Sequence, residues 1–416
     1  MEYPLHLKML QSVRSFFKQK IQRFVNKSER YHFIFGLILT FGVTISEVLK
    51  WKQRNFFIYN NATRDFWKHI NVYDVAWSNG YGTDIYVYGP LFNFIFYPIS
   101  LMPDWLGPFV WTFIEYIVFF YSVFALPDIF NQTTKKKMWL FLLPILLHNL
   151  MYYQYNVVVA AIFLISFTQF EKNNFFRAIL LIGISAVTKI YGGFQFVLLL
   201  LHKKPIKNIF LYALPTMVIL ILIPIFHTGL QGLIETYTNW FKFLKTSKQS
   251  SELPWQSFFY IKWIFKNPPP HKEIYQSIIG IFIGILTLLS IKIKDDVEVR
   301  TALFAILTGW VILFSSAPEI ITYLIALTGY LVWFFTKERN KIDKFLFWSN
   351  FFILVITPED ILFPRTWMNY IYFNLNLNLL LFSFTWLKMI WIVLMKIYQP
   401  NNSNDIKHIN FVETSK

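Results

Sequence analysis

Long apolar runs recur along almost the whole chain, and short basic segments separate them. A transmembrane helix needs about 20 predominantly apolar residues to cross the hydrocarbon core of a bilayer. Of the 416 residues, 55% are hydrophobic, 20% are aromatic and only 15% are charged. So few charged groups cannot cover a water-soluble protein of this length, which excludes a cytosolic enzyme, a disordered protein and a small secreted domain. The sequence therefore predicts an all-α fold, a polytopic transmembrane helical bundle.

The positions of these runs predict about 12 membrane spans. Several runs are shorter than a full crossing, so the count depends on how each short run is interpreted. One of them, 88–102, is bounded by Pro90 and Pro103, and we interpret it as a re-entrant or interfacial segment. The predicted spans lie near residues 31–48, 105–126, 138–150, 155–169, 177–190, 192–202, 207–227, 275–292, 301–315, 320–336, 345–357 and 370–395.

The excess of positive charge indicates how the chain is oriented. It carries 39 Lys and Arg against 23 Asp and Glu, a net charge of +16. Lys and Arg concentrate in the cytoplasmic loops of membrane proteins, and placing the N-terminus inside puts most of them there. This explains the charge without a nucleic-acid partner. Residues 1–29 form a predicted amphipathic anchor helix, 30–396 the transmembrane domain and 397–416 a polar tail, with both termini cytoplasmic.

Aromatic and polar residues that could form a site concentrate in the predicted extracytoplasmic segments. Two of these segments, 49–104 and 228–274, are long, and long loops are usually functional or disordered. The first is too rich in aromatic residues for disorder. The chain has no cysteine, which excludes disulfides and thiolate metal sites, and no nucleotide-binding motif. We therefore expect an extracytoplasmic site whose substrate arrives in the membrane.

Lys189 is the strongest single candidate, because it interrupts the apolar stretch 178–201. A lysine inside such a segment costs ~2.5–3.5 kcal/mol on insertion scales. Gly192 and Gly193 follow closely, so the helix can break there and present the ammonium group to a cavity. A lipid-linked phosphate is the natural partner for a cation in that position. The alternative is that the side chain extends to the lipid head groups.

Three acidic residues are candidates for a general base. Asp84 leads, since it lies in the first long loop immediately before the chain returns to the membrane. A carboxylate at the interface, walled by aromatic rings, gains basicity through partial desolvation and could deprotonate a sugar hydroxyl. Asp65 and Glu319 are the fallbacks. Each has a structural alternative, because Asp65 can be solvated or cap a short helix and Glu319 can favour a helix dipole.

Further side chains of the extracytoplasmic segments could bind a phosphate or a sugar. Gln154 and Asn156 close a short hairpin, where amides are also common for structural reasons. Arg365 is a second candidate ligand for phosphate. Trp255 could stack on a sugar face, and Gln256 lies beside it. The remaining candidates for positioning the sugar or a loop are Asn55, Tyr86, Tyr88 and Tyr323.

The order of these motifs resembles that of the GT-C superfamily of integral-membrane glycosyltransferases, and most of all glycosyltransferase family 87. Each motif is short, but their order and shared extracytoplasmic placement over residues 30–340 are fairly specific. The motifs that carry the resemblance are Asn55-Phe56-Phe57-Ile58-Tyr59, Asp84-Ile85-Tyr86, Tyr88-Gly89-Pro90-Leu91-Phe92, Met102-Pro103, Gln154-Tyr155-Asn156 and Lys189-Ile190-Tyr191.

The resemblance implies a hexosyltransferase that uses a polyprenyl-phosphate sugar, usually mannose, and a glycolipid or glycan acceptor outside a bacterial plasma membrane. A direct displacement at the anomeric carbon would invert its configuration. Lys189, helped by Arg365, would hold the leaving phosphate, and Asp84, Glu319 or Asp65 would accept the proton. Because phosphate leaves readily, we expect no metal ion and no other cofactor.

The chain departs from the family pattern at several positions. The family often has Asp where Asn55 stands, and an amide cannot act as a base. Gly89 and Gly192 replace prolines. Near residues 315–323, the segment SSAPEIITY stands where the family has Ser-Pro-x-x-Trp-x-His. These departures affect which residue acts as the base and which sugar is transferred.

Two other classes of protein fit parts of the pattern. A transporter or flippase for a lipid-linked sugar also has broken helices, but it should carry ionisable groups near the membrane midplane, where Glu115 is the one carboxylate indicated by hydropathy. The absence of an internal repeat and the two long structured loops favour the enzyme. A scaffold subunit of envelope synthesis would leave the polar groups dispersed.

Overall fold

The computed structural model describes most of the chain. The described residues are 29–50, 52–81, 86–201, 205–247, 257–265, 267, 269, 271–315, 319–358 and 363–399. All regular elements of this part are helical, which confirms the predicted all-α fold. Residues 1–28 of the predicted anchor helix, residues 400–416 of the predicted tail, Asp84, Trp255 and Gln256 lie outside the described residues.

The described residues form a series of α-helices, several of which are continued by short 3₁₀ or π segments. The α-helices are α1 (Arg30–Leu49), α2 (Arg54–Phe66), α3 (Val75–Tyr81), α4 (Pro90–Ser100), α5 (Gly107–Phe124), α6 (Gln132–Met151), α7 (Asn156–Glu171), α8 (Phe175–Thr188), α9 (Pro205–Asn208), α10 (Leu214–Leu222), α11 (Ile225–Ser247), α12 (Lys272–Leu289), α13 (Val297–Phe314), α14 (Tyr323–Phe334), α15 (Lys341–Phe351), α16 (Arg365–Asn369) and α17 (Leu377–Tyr398). The 3₁₀ helices are Ile190–Leu201, Phe258–Tyr260, Ser290–Ile293 and Ile320–Thr322, and the π segments are Ile209–Ala213, Phe352–Ile356 and Tyr370–Asn374.

Within the described residues, six helical segments are long and apolar enough to cross a membrane. They are Arg30–Leu49, Gly107–Phe124, Pro205–Leu222, Glu273–Ile293, Val297–Phe314 and Leu377–Tyr398. Shorter apolar helices accompany them, among them α7 and α8. The transmembrane helical character of the chain is thus confirmed, while the count of about 12 spans stays a prediction. Helix α4, with 11 residues, is ~16 Å long, too short to cross a bilayer.

The long predicted connection 228–274 contains regular structure, because α11 extends to Ser247. Leu233, Trp240 and Phe243 are buried along one face of this helix, while its other faces carry polar residues together with exposed apolar side chains such as Leu230 and Ile234. The helix is kinked at Gly229, whose φ is +69°. Glycine adopts this left-handed conformation without the steric cost that other residues incur.

The described residues fall into two compact units. The first contains residues 29–193 with their gaps, 212–247 and 319–328. In it α2 packs along α4, α5 packs on α7, and α7 packs on α8. Aromatic rings fill the space between these helices: Phe92 stacks on Phe96 with ring centroids 5.5 Å apart, and Trp111 stacks on Tyr155 at 6.3 Å. Large buried rings of this kind contribute much of the stability of a core.

The second unit contains residues 194–211, 257–315 and 329–399 with their gaps. Helices α13 and α17 pack closely in it, and the Trp386 indole nitrogen donates to the Ile306 carbonyl oxygen at 2.9 Å. The buried carboxylate of Glu298 contacts Arg339 at 2.7 Å and Lys396 at 3.0 Å. This cluster ties the start of α13 to the end of α17, because separating it would leave buried charges without partners.

Candidate active site

Residues 86–89 form an extended segment that is fixed on both sides. The Tyr73 hydroxyl donates to the Tyr88 carbonyl oxygen at 3.0 Å, and the Trp240 indole nitrogen donates to the Val87 carbonyl oxygen at 3.0 Å. The Gly89 amide donates to the Thr188 carbonyl oxygen at 3.0 Å. A Cβ atom at Gly89 would collide with the carbonyl oxygen of Val187. Glycine is required here for close approach, and the segment is held against the end of α8.

Lys189 follows directly after α8, where the backbone leaves the helical conformation. Its φ and ψ are −145° and 104°, and the 3₁₀ helix Ile190–Leu201 begins at the next residue. The turn is tight, because a Cβ atom at Gly192 would collide with Ser185. This is the helix break that the glycine pair predicts.

Lys189 is half-buried, and the groups in contact with its ammonium nitrogen are neutral. Its Nζ donates to the Asn156 Oδ1 at 2.8 Å, and the Tyr191 hydroxyl donates to the same oxygen at 2.7 Å. Nζ also lies 5.2 Å from the centre of the Tyr88 ring and 5.1 Å from that of Tyr191, within the range of a cation–π interaction.

No carboxylate of the described residues lies within ion-pair distance of Lys189, although the Glu319 carboxylate interacts with it at longer range. A lysine ammonium has three donor hydrogens, and one of them is used by Asn156. The ammonium group can therefore donate to an anionic ligand, such as a phosphate oxygen, without first breaking an ion pair to the described residues.

The hydroxyl groups of Tyr86 and Tyr88, in the segment that contacts Lys189, are neutral. Burial raises the pKa of Tyr86 and of Tyr88 well above the usual value for tyrosine, because the ionised phenolate is poorly solvated inside the protein. The Tyr88 hydroxyl shares a hydrogen bond of 2.9 Å with that of Tyr59, and the Tyr86 hydroxyl donates to the Asn93 Oδ1 at 2.9 Å. These groups can orient neighbours, but they are not bases at neutral pH.

Glu319 is exposed at the start of the 3₁₀ helix Ile320–Thr322. It forms a capping box, in which its backbone amide donates to the Thr322 hydroxyl at 3.2 Å. The Asn149 side-chain amide donates to the Ile321 carbonyl oxygen at 3.0 Å and so fixes this helix to the end of α6. The structure thus combines the predicted structural role of Glu319 with an electrostatic interaction with Lys189.

Asp65 is buried near the end of α2 and is occupied by local contacts. Its carboxylate accepts a hydrogen bond from the Trp77 indole nitrogen at 3.1 Å and contacts the Lys68 Nζ at 3.2 Å. These contacts fix the chain after α2. They differ from both structural alternatives for this residue, because the carboxylate is neither solvated nor at a helix cap.

The other predicted site residues have distinct environments. Gln154 is buried in the turn before α7, and Tyr323 is buried at the start of α14. Arg365 is exposed as the first residue of α16, in the second unit. The first unit thus brings together Lys189, Asn156, Tyr88 and Glu319 from the predicted set.

Asn55 connects α2 to the hairpin before α7. Its side-chain amide donates to the Tyr152 carbonyl oxygen at 2.8 Å. We expect Asn55→Asp to lower the free energy of unfolding by about 1 kcal/mol, because a carboxylate cannot donate this hydrogen bond. Thermal unfolding of the purified variants tests this. The matched control is Asn174→Asp, because Asn174 is exposed and its amide donates, among the described residues, only to the Gln169 side chain; an equal loss in both variants would contradict the assigned role.

An apolar groove begins beside Lys189. It has a volume of about 540 Å³ and lies between the end of α8, α10 and α11. Val187 and Ile190, which flank Lys189 closely in the chain, line it together with Met217, Ile234 and Phe241. The groove thus lies beside the backbone of Lys189 in the same unit, while the ammonium group is bonded to Asn156.

Some residues of this region do not stand out in the sequence. Asn93 accepts hydrogen bonds from Tyr86 and Thr63, and Trp240 of α11 fixes the segment 86–89. Asn93 lies inside an apolar run and Trp240 in a predicted connection. The Lys-x-Tyr spacing was the available signal for Tyr191, which shares the Asn156 oxygen with Lys189.

The apolar helices and the family comparison together define an integral membrane glycosyltransferase. Glycosyltransferase family 87 matches residues 86–358, well over half of the chain and the part that contains Tyr88, Asn156, Lys189 and Glu319. The chain belongs to glycosyltransferase family 87. Among curated proteins, no relative matches this chain.

Proposed function

We propose that the protein transfers a hexose, mannose, from a polyprenyl-phosphate donor to a glycolipid or glycan acceptor at the extracytoplasmic face of the membrane. The observation that carries this proposal is the environment of Lys189. The residue as a whole is half-buried, and its ammonium group is bonded to one neutral oxygen and has no ion-pair partner among the described residues.

A phosphate leaving group supplies the close ion-pair partner that Lys189 lacks among the described residues. When the bond between the anomeric carbon and the phosphate oxygen breaks, negative charge develops on the phosphate. A preorganised cation stabilises such charge more in the transition state than in the ground state. Asn156 and Tyr191 support this role, because they hold the lysine side chain without neutralising it.

The apolar groove supports a lipid-linked donor. A hydrocarbon chain gains about 0.8 kcal/mol for each CH₂ group that it buries, and the groove offers mainly aliphatic and aromatic side chains. An anionic head at Lys189 with an apolar tail in the groove would satisfy both features with a single ligand. A polyprenyl phosphate has this chemistry, whereas a free nucleotide sugar does not.

The acceptor hydroxyl must lose its proton as it attacks. In the proposed reaction its oxygen forms a bond to the anomeric carbon, the carbon–phosphate oxygen bond breaks, and the proton passes to a carboxylate. Asp84 stays the first proposal for this base, with Glu319 as the described carboxylate that interacts with Lys189 and Asp65 as a further fallback. A single displacement inverts the anomeric configuration.

A transporter would need an ionisable side chain inside the membrane that water can reach. Glu115 is fully buried in α5, and neither of its carboxylate oxygens has a hydrogen-bond partner among the described residues. A carrier group that alternates between two aqueous sides needs polar partners and access to water. Glu115 therefore favours a packing role, and membership of a transferase family favours catalysis.

The test is to incubate the purified protein with radiolabelled polyprenyl-phosphate sugars and membrane extract, followed by analysis of the products. The panel contains the mannose, glucose, galactose and arabinose donors. We expect transfer from the mannose donor to an extractable glycolipid or glycan, with an anomeric configuration opposite to that of the donor. Transfer only from nucleotide sugars, or retention of configuration, would contradict the proposal.

A further inference from the structure

A second, polar cavity lies between the chain that follows α2 and the face of α11. Its volume is about 220 Å³, and it is lined by Phe66 and residues 69–73 on one side and by Thr228, Gly232, Glu235, Thr236 and Asn239 on the other. Both sides belong to the first unit. The cavity is separate from the apolar groove, whose lining has no residue in common with it.

The lining of this cavity selects for an uncharged, hydroxyl-rich ligand. Hydroxyl and amide groups come from Thr236 and Asn239, and a carboxylate from Glu235, while no Lys or Arg lines it. An anionic ligand would therefore lack a strong partner, and a hydrocarbon chain would leave these polar groups without hydrogen bonds. Phe66 and Tyr73 add aromatic surface, which suits the apolar face of a sugar ring. The volume is below the ~300–1,000 Å³ of pockets for drug-sized molecules and suits one monosaccharide.

Two stacked histidines hold the walls of the cavity together. The rings of His69 and His227 are 4.3 Å apart and nearly parallel, and the His227 Nε2 lies 3.1 Å from the Phe66 carbonyl oxygen. The His69 backbone is in the left-handed region, with a φ of +60°. The chain after α2 is thus fixed against α11, so the cavity exists before a ligand binds.

Tyr73 connects this cavity to the Lys189 site. It lines the cavity, and its hydroxyl donates to the carbonyl oxygen of Tyr88, whose ring lies 5.2 Å from the Lys189 Nζ. Tyr73 and Tyr88 therefore link the two sites through direct contacts. Exposed residues such as Ile70 and Glu235 form the rim of the cavity, which leaves it open at the protein surface.

We propose that this cavity binds the terminal sugar of the acceptor. The inference rests on the proposed function, because it assumes a lipid-linked donor at Lys189 and a second carbohydrate substrate that reaches the site from the aqueous side. Asn239, Thr236 and Glu235 hydrogen-bond the hydroxyl groups of this sugar, and the ring rests against Phe66 and Tyr73.

The test is saturation-transfer difference NMR of the detergent-solubilised protein with methyl α-D-mannopyranoside and the methyl glycosides of glucose and galactose. We expect a signal from at least one glycoside that falls at least fivefold in Thr236→Val and in Asn239→Leu. Thr238→Val is the matched control, because Thr238 is on the same helix but lines the apolar groove, and it should keep the glycoside signal. No signal in the wild-type protein, or a signal unchanged in both cavity variants, would overturn the proposal.

A second measurement does not depend on the folding of variants. A diazirine derivative of the bound glycoside should cross-link the wild-type protein within residues 66–73 or 228–239, and cross-links confined to other segments would contradict the assignment. The Lys189→Met variant distinguishes the sugar cavity from the proposed phosphate site at Lys189, since this variant should bind the glycoside normally. Glycoside binding without any turnover of lipid-phosphate sugars would refute the proposed function and leave the sugar cavity intact.

Discussion

Lys189→Met should reduce sugar transfer from a lipid-phosphate donor by ~100–1,000-fold, since removing one preorganised group that stabilises developing negative charge costs ~2.7–4 kcal/mol in other enzymes. Methionine keeps the length and apolar stem of lysine but has no charge. The folded state should not suffer, because a partly buried charge is removed along with its single hydrogen bond to Asn156. The measurement is the initial rate of transfer, together with the apparent melting temperature of the same preparation.

Lys172→Met is the matched control, because this lysine also follows an apolar helix but is exposed to solvent. It should transfer sugar at the wild-type rate. The transfer rate of Lys189→Arg should lie between those of Lys189→Met and Lys172→Met, since arginine keeps the charge but presents a planar group of a different shape. Wild-type turnover by Lys189→Met would refute the assignment of the phosphate site.

Gly89→Ala should lower the free energy of unfolding by ~2–3 kcal/mol, the upper part of the usual range for overpacking. The added Cβ atom would collide with the Val187 carbonyl oxygen and would meet the Trp240 ring at 3.2 Å. The segment would have to move away from α8, and Tyr88 would move with it. Because displacements of about 1 Å can cost a factor of about 100 in rate, we also expect transfer to fall at least about tenfold.

Gly42→Ala separates this collision from the general effect of adding a methyl group. Gly42 is within α1, and a Cβ atom there would meet nothing within 4 Å. Alanine also has a higher helix propensity than glycine, so this variant should be as stable as the wild type or slightly more stable. Thermal unfolding in detergent compares the two. A Gly89→Ala variant with the stability of Gly42→Ala would show that the segment 86–89 is not fixed as described.

The sequence predicted the fold class because the requirement for apolar helices in a membrane is strict. It predicted the helix break at Lys189, since a cation and two glycines interrupt an apolar run there. The number of spans was harder to predict from the sequence, because helices such as α7 and α8 are packed inside the protein and can be shorter than a lipid-exposed span. Helix α11 mixes polar residues with apolar ones on several of its faces, and its sequence was therefore interpreted as a connection and not as a span.

The residues that form the candidate site could be predicted from the sequence only in part, because their contacts also depend on how the helices pack. Motif order indicated Lys189 and Asn156, but the contact between two residues 33 positions apart depends on how α7 packs against α8. Asp65 has the residue type expected of a base and Asn55 that of a positioning group, yet their side chains bond to Trp77 and to the Tyr152 carbonyl oxygen, respectively. Residue type alone does not distinguish a catalytic group from a structural one.

The absence of a carboxylate counterion within ion-pair distance of Lys189, among the described residues, has a kinetic consequence. A sugar phosphodiester carries one negative charge, whereas the phosphate monoester released by transfer carries ~1.5–2 at neutral pH. The same ammonium group that assists bond cleavage should therefore hold the spent carrier lipid more tightly than the fresh one. We expect product inhibition by polyprenyl phosphate and a pre-steady-state burst, with release of the carrier setting the turnover rate.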